Sequence, residues 1–211
     1  MTAGRRQRAP QTRTGGTVRI IGGRWRGRRL PVADARGLRP TADRVRETLF
    51  NWLQADISGA HCLDLFAGSG ALGIEALSRG ADHCTFVDSN AGLLRGIGSA
   101  LATLGGSGQA ECHAQSAEKF LARCQTGFDL VFLDPPFADD LLSATCQQLQ
   151  DSTALVEQSL IYIESSHALA MQALPARWQA LRQKSTGAVH YALYHSGRQD
   201  QHGQQDRIVR G

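Results

Sequence analysis

No stretch of this 211-residue chain approaches the roughly 18 consecutive apolar residues that a bilayer-spanning helix needs, and its arginine-rich start lacks the apolar segment of a secretion signal. Membrane chemistry is thereby set aside, and a soluble cytoplasmic protein is expected. Cysteines are few and odd in number. Cys62, Cys84, Cys112, Cys124 and Cys146 stand far apart with no Cys-x-x-Cys pair, which argues against a complete disulfide framework, and no metal site is expected. Cys62, Cys84 and Cys112 fall in strand-like runs and read as buried thiols. Lysine is missing from the first 46 residues, where 13 arginines face only Asp34 and Asp43. That segment carries +11 and the rest of the chain −7, a split hidden inside the overall +4. A basic arm on an acidic body is the electrostatic footprint of a nucleic-acid binder, although a merely solubilising tail would look similar. At 22.8 kDa and 42% hydrophobic residues, the chain suits one domain with a full core.

What is present centres on Leu130-Val131-Phe132-Leu133-Asp134-Pro135-Pro136-Phe137. The unbroken apolar run suits a strand covered on both faces, with Phe128 in the same strand. Pro135 and Pro136 have no N–H and a fixed φ, so the strand ends in a stiff loop. A carboxylate, a rigid carbonyl and an aromatic ring within four residues suit the exocyclic amine of a nucleobase. Its nitrogen is a poor nucleophile while the lone pair is delocalised into the ring, and acceptors on both N–H bonds favour a tetrahedral geometry. Asp134 offers one acceptor and the Pro135 carbonyl the other, while Phe137 can stack on the base, a contact worth roughly 1–3 kcal/mol. The plainer reading is a strand end whose acid caps the following helix.

Residues 1–17 read as a disordered basic tail and 18–58 as an RNA-binding extension of hairpin and helix, followed by a catalytic domain over 59–195 and a flexible tail over 196–211. Two short runs around Gly22-Gly23 predict the hairpin. Its Arg24, Arg26 and Arg28 would share one strand face opposite Trp25 and, with Arg19, contact phosphates that position an RNA without reading its sequence. The helix has Thr41 as N-cap and Asp43 in its first turn, with Val45, Leu49, Trp52 and Leu53 turned to the body. Arg39, Thr41, Arg44 and Arg46 are left to line the approach to the site. Thereafter strands at Cys62–Phe66, Cys84–Asp88, Ala110–His113, Phe128–Leu133 and Leu160–Glu164 alternate with helices near Gly70–Arg79, Ala91–Leu104, Ala117–Cys124 and Asp139–Leu149, the pattern of a parallel sheet. Trp178–Lys184 and Val189–His195 read as a closing antiparallel hairpin.

Asp64-Leu65-Phe66-Ala67-Gly68-Ser69-Gly70-Ala71-Leu72-Gly73 ends the first body strand and opens a helix. Gly68, Gly70 and Gly73 form a Gly-x-Gly-x-x-Gly, with Asp88 at the end of the next strand, as a dinucleotide fold also would. Asp64, however, precedes the glycines, where it would repel a pyrophosphate but attract the ammonium of S-adenosylmethionine. Asp88 suits ribose hydroxyls. Ser116 stands where an acid commonly touches the adenine amine, and it equally suits a helix N-cap.

These residues, with Arg19-Ile20-Ile21-Gly22-Gly23, Arg39-Pro40-Thr41 and Arg46-Glu47-Thr48-Leu49-Phe50-Asn51, carry a resemblance over Val18 to His195 to the bacterial guanine-N2 methyltransferases of small-subunit ribosomal RNA. The resemblance implies an α/β, Rossmann-like class I methyltransferase fold: a seven-stranded, mostly parallel sheet with a C-terminal antiparallel hairpin and an N-terminal β-hairpin extension. It implies S-adenosylmethionine held by Asp64, Phe66, Ala67, Gly68, Ser69, Gly70, Asp88 and Ser116, and catalysis at Asp134, Pro135, Pro136 and Phe137. The implied target is guanine 966 of 16S rRNA within the small subunit or its assembly intermediate; separately, a monomer is expected. The Asp-Pro-Pro-aromatic motif is shared with DNA adenine methyltransferases. That activity, a nicotinamide-dependent oxidoreductase and a non-catalytic RNA-binding assembly factor stay open as alternatives.

Overall fold

The computed structural model describes residues 17–31, 43–136, 139–165 and 174–197. Seven strands form the main sheet: β3 (His61–Asp64), β4 (His83–Asp88), β5 (Ala110–Ala114), β6 (Phe128–Leu133), β7 (Leu155–Ser165), β8 (Gln179–Thr186) and β9 (Val189–His195). Their spatial order is β5-β4-β3-β6-β7-β9-β8. The first five are parallel, whereas β9 runs antiparallel to both β7 and β8. The chain steps outward from β3 to β5 and then crosses back to β6. A crevice therefore opens at the carboxyl ends of β3 and β6, the place where open α/β sheets take ligands.

The sheet is central because its inner strands are apolar on both faces. Leu130 and Phe132 of β6 join one core with the helices α1 (Asp43–Trp52), α2 (Ala71–Ser78) and α3 (Ala91–Leu104). Val131 and Leu133 join the other, with α4 (Ala117–Leu121) and α5 (Asp139–Asp151). Helix α2 is buried along its whole length and lies so close to β4 that a Cβ on Gly73 would sit 2.3 Å from the Phe86 ring. Helix α3 is capped as its sequence suggests: the Asn90 side chain accepts from Gly92 N at 2.9 Å, and Gly105 closes the C-terminus in a left-handed conformation.

Several expectations change. Strand β7 begins at Leu155 rather than Leu160, with a register shift against β6 and Gln158 at φ 70°; its exposed Val156-Glu157-Gln158 hid the strand's first half. Trp178 precedes β8, buried, and donates from its indole to Gln150 Oε1 at 2.7 Å. Cys112 is exposed, since β5 is an edge strand, while Cys62, Cys84 and Cys146 are buried. At the C-terminus Ser196 is buried and bonded through its N–H to Ser159 O at 2.9 Å; residues 198–211, like residues 1–16 with most of the basic tail, lie outside the described residues.

The N-terminal hairpin is real but short. β1 (Thr17–Arg19) pairs antiparallel with β2 (Arg29–Pro31), and residues 20–28 form successive turns rather than extended strand. Arg24, Arg26 and Arg28 thus share no strand face. The segment still sorts its side chains, burying Val18, Ile20, Trp25 and Leu30 and exposing Arg19, Arg24, Arg26 and Arg28. It is seated on the C-terminal half of α2. Arg24 N bonds Ser78 O at 2.7 Å, Trp25 N bonds Ser78 Oγ at 3.0 Å, and Ser78 Oγ donates to Gly22 O at 2.6 Å. Gly23, at φ 74°, lies so near that a Cβ there would come within 1.8 Å of Ser78 O.

Candidate active site

A cavity of about 870 Å³ occupies the crevice, within the range of small-molecule sites. Asp64, Gly68, Asp88, Ser116, Asp134 and Pro135, delivered by the ends of four neighbouring strands, all line it. Parallel strands make this convergence automatic: the last residue of each is carried to the same edge of the sheet.

Asp64 ends β3 almost fully buried, with Oδ2 accepting from Gly73 N at 3.0 Å. Burial raises its carboxyl from the ordinary range to about 7, the Gly73 N–H opposes that shift, and the Asp88 charge adds to it. An anion in this position is short of positive charge. Asp88 uses both oxygens to shape the loops around it, Oδ2 accepting from Gly68 N at 2.9 Å and Oδ1 from Asn90 N at 2.7 Å. Each oxygen keeps a second lone pair for a ligand hydroxyl. Phe66, Ala67 and Ser69 also border the cavity. Gly70 does not: it sits at φ 75° beneath Ile97, where a Cβ would meet that side chain at 2.8 Å, so its role is packing. Ser116 both borders the cavity and caps α4, its Oγ accepting from Lys119 N at 3.3 Å. This donor set fits S-adenosylmethionine, with a carboxylate for the ammonium, one for the ribose and a close backbone turn between them.

Asp134 follows β6 directly and is half-buried; Pro135 is buried and Pro136 exposed, and all three line the cavity. Phe137 lies outside the described residues, as do Arg39 and Thr41. The strand expected to deliver a loop therefore delivers it beside the Asp64 end, since β3 and β6 pair with Asp64 opposite Phe132.

Arg46 corrects the expected RNA-facing set. It is 1% exposed, and its guanidinium bonds Asp43 Oδ1 at 2.6 Å and Arg19 O at 2.8 Å and stands 3.7 Å from Glu75. The physical cause is Glu75, a fully buried carboxylate on α2 that needs a counter-charge. Glu75 also accepts from Ile21 N at 2.8 Å, Gly22 N at 2.7 Å and Arg79 Nε at 2.8 Å. Arg24 donates to the Gln109 side chain and stacks over Trp25 at 4.2 Å, while Arg19 pairs with Asp43 at 3.4 Å. Sequence reasoning missed Glu118 and Glu164, which also border the cavity. Glu118 was hidden as an ordinary first-turn acid of α4. Glu164 had a signal, because Leu160 to Glu164 repeats the form of Leu130 to Asp134, an apolar run stopping on an acid.

The family described as conserved hypothetical protein 95 matches residues 18–195. The ribosomal RNA small subunit methyltransferase D of Escherichia coli K12 is 49% identical over 179 residues, spanning 85% of this chain and 90% of that protein. Its namesake in Haemophilus influenzae is 47% identical over 182 residues, spanning 85% and 94%. A solved structure titled as the putative methyltransferase yhhF of Escherichia coli superposes with TM-score 0.80 at 48% identity, covering 87% of this chain and all of that one.

Proposed function

We propose that this chain, which belongs to the conserved hypothetical protein 95 family, transfers a methyl group from S-adenosylmethionine to the exocyclic N2 of a guanine, position 966 of 16S rRNA, in the small ribosomal subunit. The chain is an S-adenosylmethionine-dependent ribosomal RNA methyltransferase. One observation carries the finer reading: the Asp134-Pro135 strand end and the Asp64, Gly68 and Asp88 cradle open into one cavity.

Bound there, S-adenosylmethionine supplies an electrophilic methyl whose C–S bonding pair stays with sulfur as the new C–N bond forms. Asp64 and Asp88 orient the donor from β3 and β4. Asp134 and the Pro135 carbonyl accept the two N2 hydrogens, hold the lone pair toward the methyl and stabilise positive charge as it grows on nitrogen. The amine then loses one proton, to Asp134 or to water. Reaching the base requires unstacking it, at a few kcal/mol and less in a single-stranded loop. The exposed Arg19, Arg24, Arg26 and Arg28 are read as phosphate contacts that bring the RNA to the cavity. No helix among the described residues is long and apolar enough to cross a membrane, and a monomer acting in the cytoplasm completes the reading.

The test is labelled methyl transfer from S-adenosylmethionine to small subunits taken from a strain lacking this protein, followed by nucleoside analysis. N2-methylguanosine at one site is expected. Label in N6-methyladenosine, or in DNA, would overturn the choice of base or polymer.

A further inference from the structure

A pair of acceptors around an exocyclic amine does not by itself choose guanine, since adenine and cytosine present the same two N–H bonds. The rest of the cavity wall bears on that choice. Glu164, near the carboxyl end of β7, is 6% exposed and lines the cavity with Asp134 and Pro135. Leu133 of β6 pairs with Ile163 of β7, so residues 134 and 164 leave adjacent strands side by side, with strand axes about 4.8 Å apart. Residues 132 and 134 share one face of the sheet with 162 and 164, and Phe132 and Tyr162 meet edge to face at 6.4 Å. Tyr162 donates its hydroxyl to Glu164 Oε2 at 3.0 Å. Burial first, then the charges of Glu164 and Asp134, push the Tyr162 hydroxyl well above its usual range, so it remains a donor. The carboxylate is thus held by a rigid, buried partner, with Val45 and Val189 as apolar walls of the same cavity.

We infer that Glu164 is the residue that selects guanine, accepting the N1–H of the target base while Asp134 and the Pro135 carbonyl hold its 2-amino group; this rests on the methyl-transfer reading above. An ionised carboxylate accepts hydrogen bonds and donates none. Guanine offers N1–H next to its 2-amino group, so two carboxylates on neighbouring strands match its amidine edge. Adenine offers a bare N1 next to its amine, and that lone pair would face Glu164. A site built to pair a donor disfavours an analogue that sets a second acceptor against its buried carboxylate. Accepting N1–H also pushes electron density toward N2, the atom that must attack.

The experiment uses small subunits reconstituted with 2-aminopurine in place of the target guanine. This base keeps the 2-amino group, but its N1 is an acceptor. Methyl transfer is measured on both substrates with the wild-type chain and with Glu164→Gln. The wild type should favour guanine by roughly 10-fold or more, in line with one discriminating base contact. Glu164→Gln, whose amide can donate to N1, should lose on the order of 10-fold or more on guanine and little on 2-aminopurine, so that the preference collapses toward unity. An equal fall on both substrates, or a wild type indifferent to the exchange, overturns the inference. If Glu164→Gln does not fold, Tyr162→Phe replaces it: a reduced preference supports the assignment, and an unchanged one overturns it. No methyl transfer to the guanine substrate by the wild type would overturn the underlying methyl-transfer reading instead.

Discussion

Glu75, on helix α2, and Asp64, which accepts from the Gly73 N–H of the same helix, are both buried, and the fold treats them in opposite ways. Glu75 meets two backbone N–H groups from Ile21 and Gly22, the Arg79 guanidinium and the nearby Arg46 charge. Asp64 has the Gly73 N–H and, at the end of the neighbouring strand, the like charge of Asp88. The first carboxylate is satisfied inside the protein and ties the N-terminal segment to the body. The second faces a cavity in want of a cation. Burial alone does not separate a structural acid from a functional one. What separates them is whether the fold itself completes the charge balance.

Breaking the completed balance should cost most. Glu75→Ala leaves the buried Arg46 with only the half-exposed Asp43 as counter-charge, Arg79 without its carboxylate and two backbone donors without an acceptor, a loss of about 3–5 kcal/mol of stability. It should appear as a large drop in thermal midpoint. Pairing Glu75→Leu with Arg46→Met removes both charges and should recover part of the loss, not all, because the Ile21 and Gly22 N–H groups stay unpaired. Full recovery would mean that the ion pair, and not the clamp on Ile21 and Gly22, is what matters.

Asp134 sharpens the comparison from the cavity side. Asp134→Ala should lower turnover by on the order of 10²-fold or more, by analogy with deleting a transition-state hydrogen-bond partner, while the thermal midpoint moves little. Near-normal turnover removes Asp134 from the mechanism.

The next effect is a pH dependence, and its sign follows from Asp64. Its carboxyl is raised from 3.8 to about 7 on folding, so the folded chain holds a proton that the unfolded chain has released. The associated stability is complete below pH 3.8 and is lost as pH climbs through about 7. A cationic ligand wants the ionised form. Affinity for S-adenosylmethionine should therefore fall as pH drops below about 7, by up to tenfold per unit, and fall again above roughly 8 as the ligand's α-amino group loses its proton. Titration calorimetry across this range should give a bell. Asp64→Asn should weaken binding, flatten the acid limb and make the ligand-free protein relatively more stable at pH 8 than the wild type. An acid limb that persists in Asp64→Asn would assign it to another group.

The contrast also explains what the sequence could disclose. β6 and its Asp134-Pro135-Pro136 end were legible because a short apolar run and two prolines are local signals, and Asp64 because it stands between a strand and a glycine turn. Glu75 was not, since its backbone partners Ile21 and Gly22 lie 54 and 53 residues earlier in the chain. Nor was Arg46, which reads as solvent-facing until Glu75 claims it. Residues 20–28 misled for a related reason: alternating arginines and apolar residues suggest a strand, but here the exposed and buried positions are sorted by turns fitted over Ser78. Local pattern reported which side chains face solvent and not the backbone path that puts them there.

The smallest effect lies on the same segment, with side chains that take no part in the clamp. Arg26 and Arg28 are exposed, whereas Arg24 is tied to Gln109 and Trp25 and Arg19 to Asp43. Replacing Arg26 and Arg28 together by Ala should leave stability and S-adenosylmethionine affinity unchanged, because neither side chain is buried or borders the cavity. If both contact phosphates, the slope of log affinity for ribosomal RNA against log salt should become shallower by roughly 1 to 2, with a modest loss of affinity at low salt that shrinks as salt rises. Removing Arg24 or Arg19 instead would mix that electrostatic loss with the loss of a packing contact, so only the Arg26 and Arg28 pair isolates the RNA term. An unchanged salt slope would return Arg26 and Arg28 to solvent and leave the segment as a structural clasp on Glu75 and Ser78.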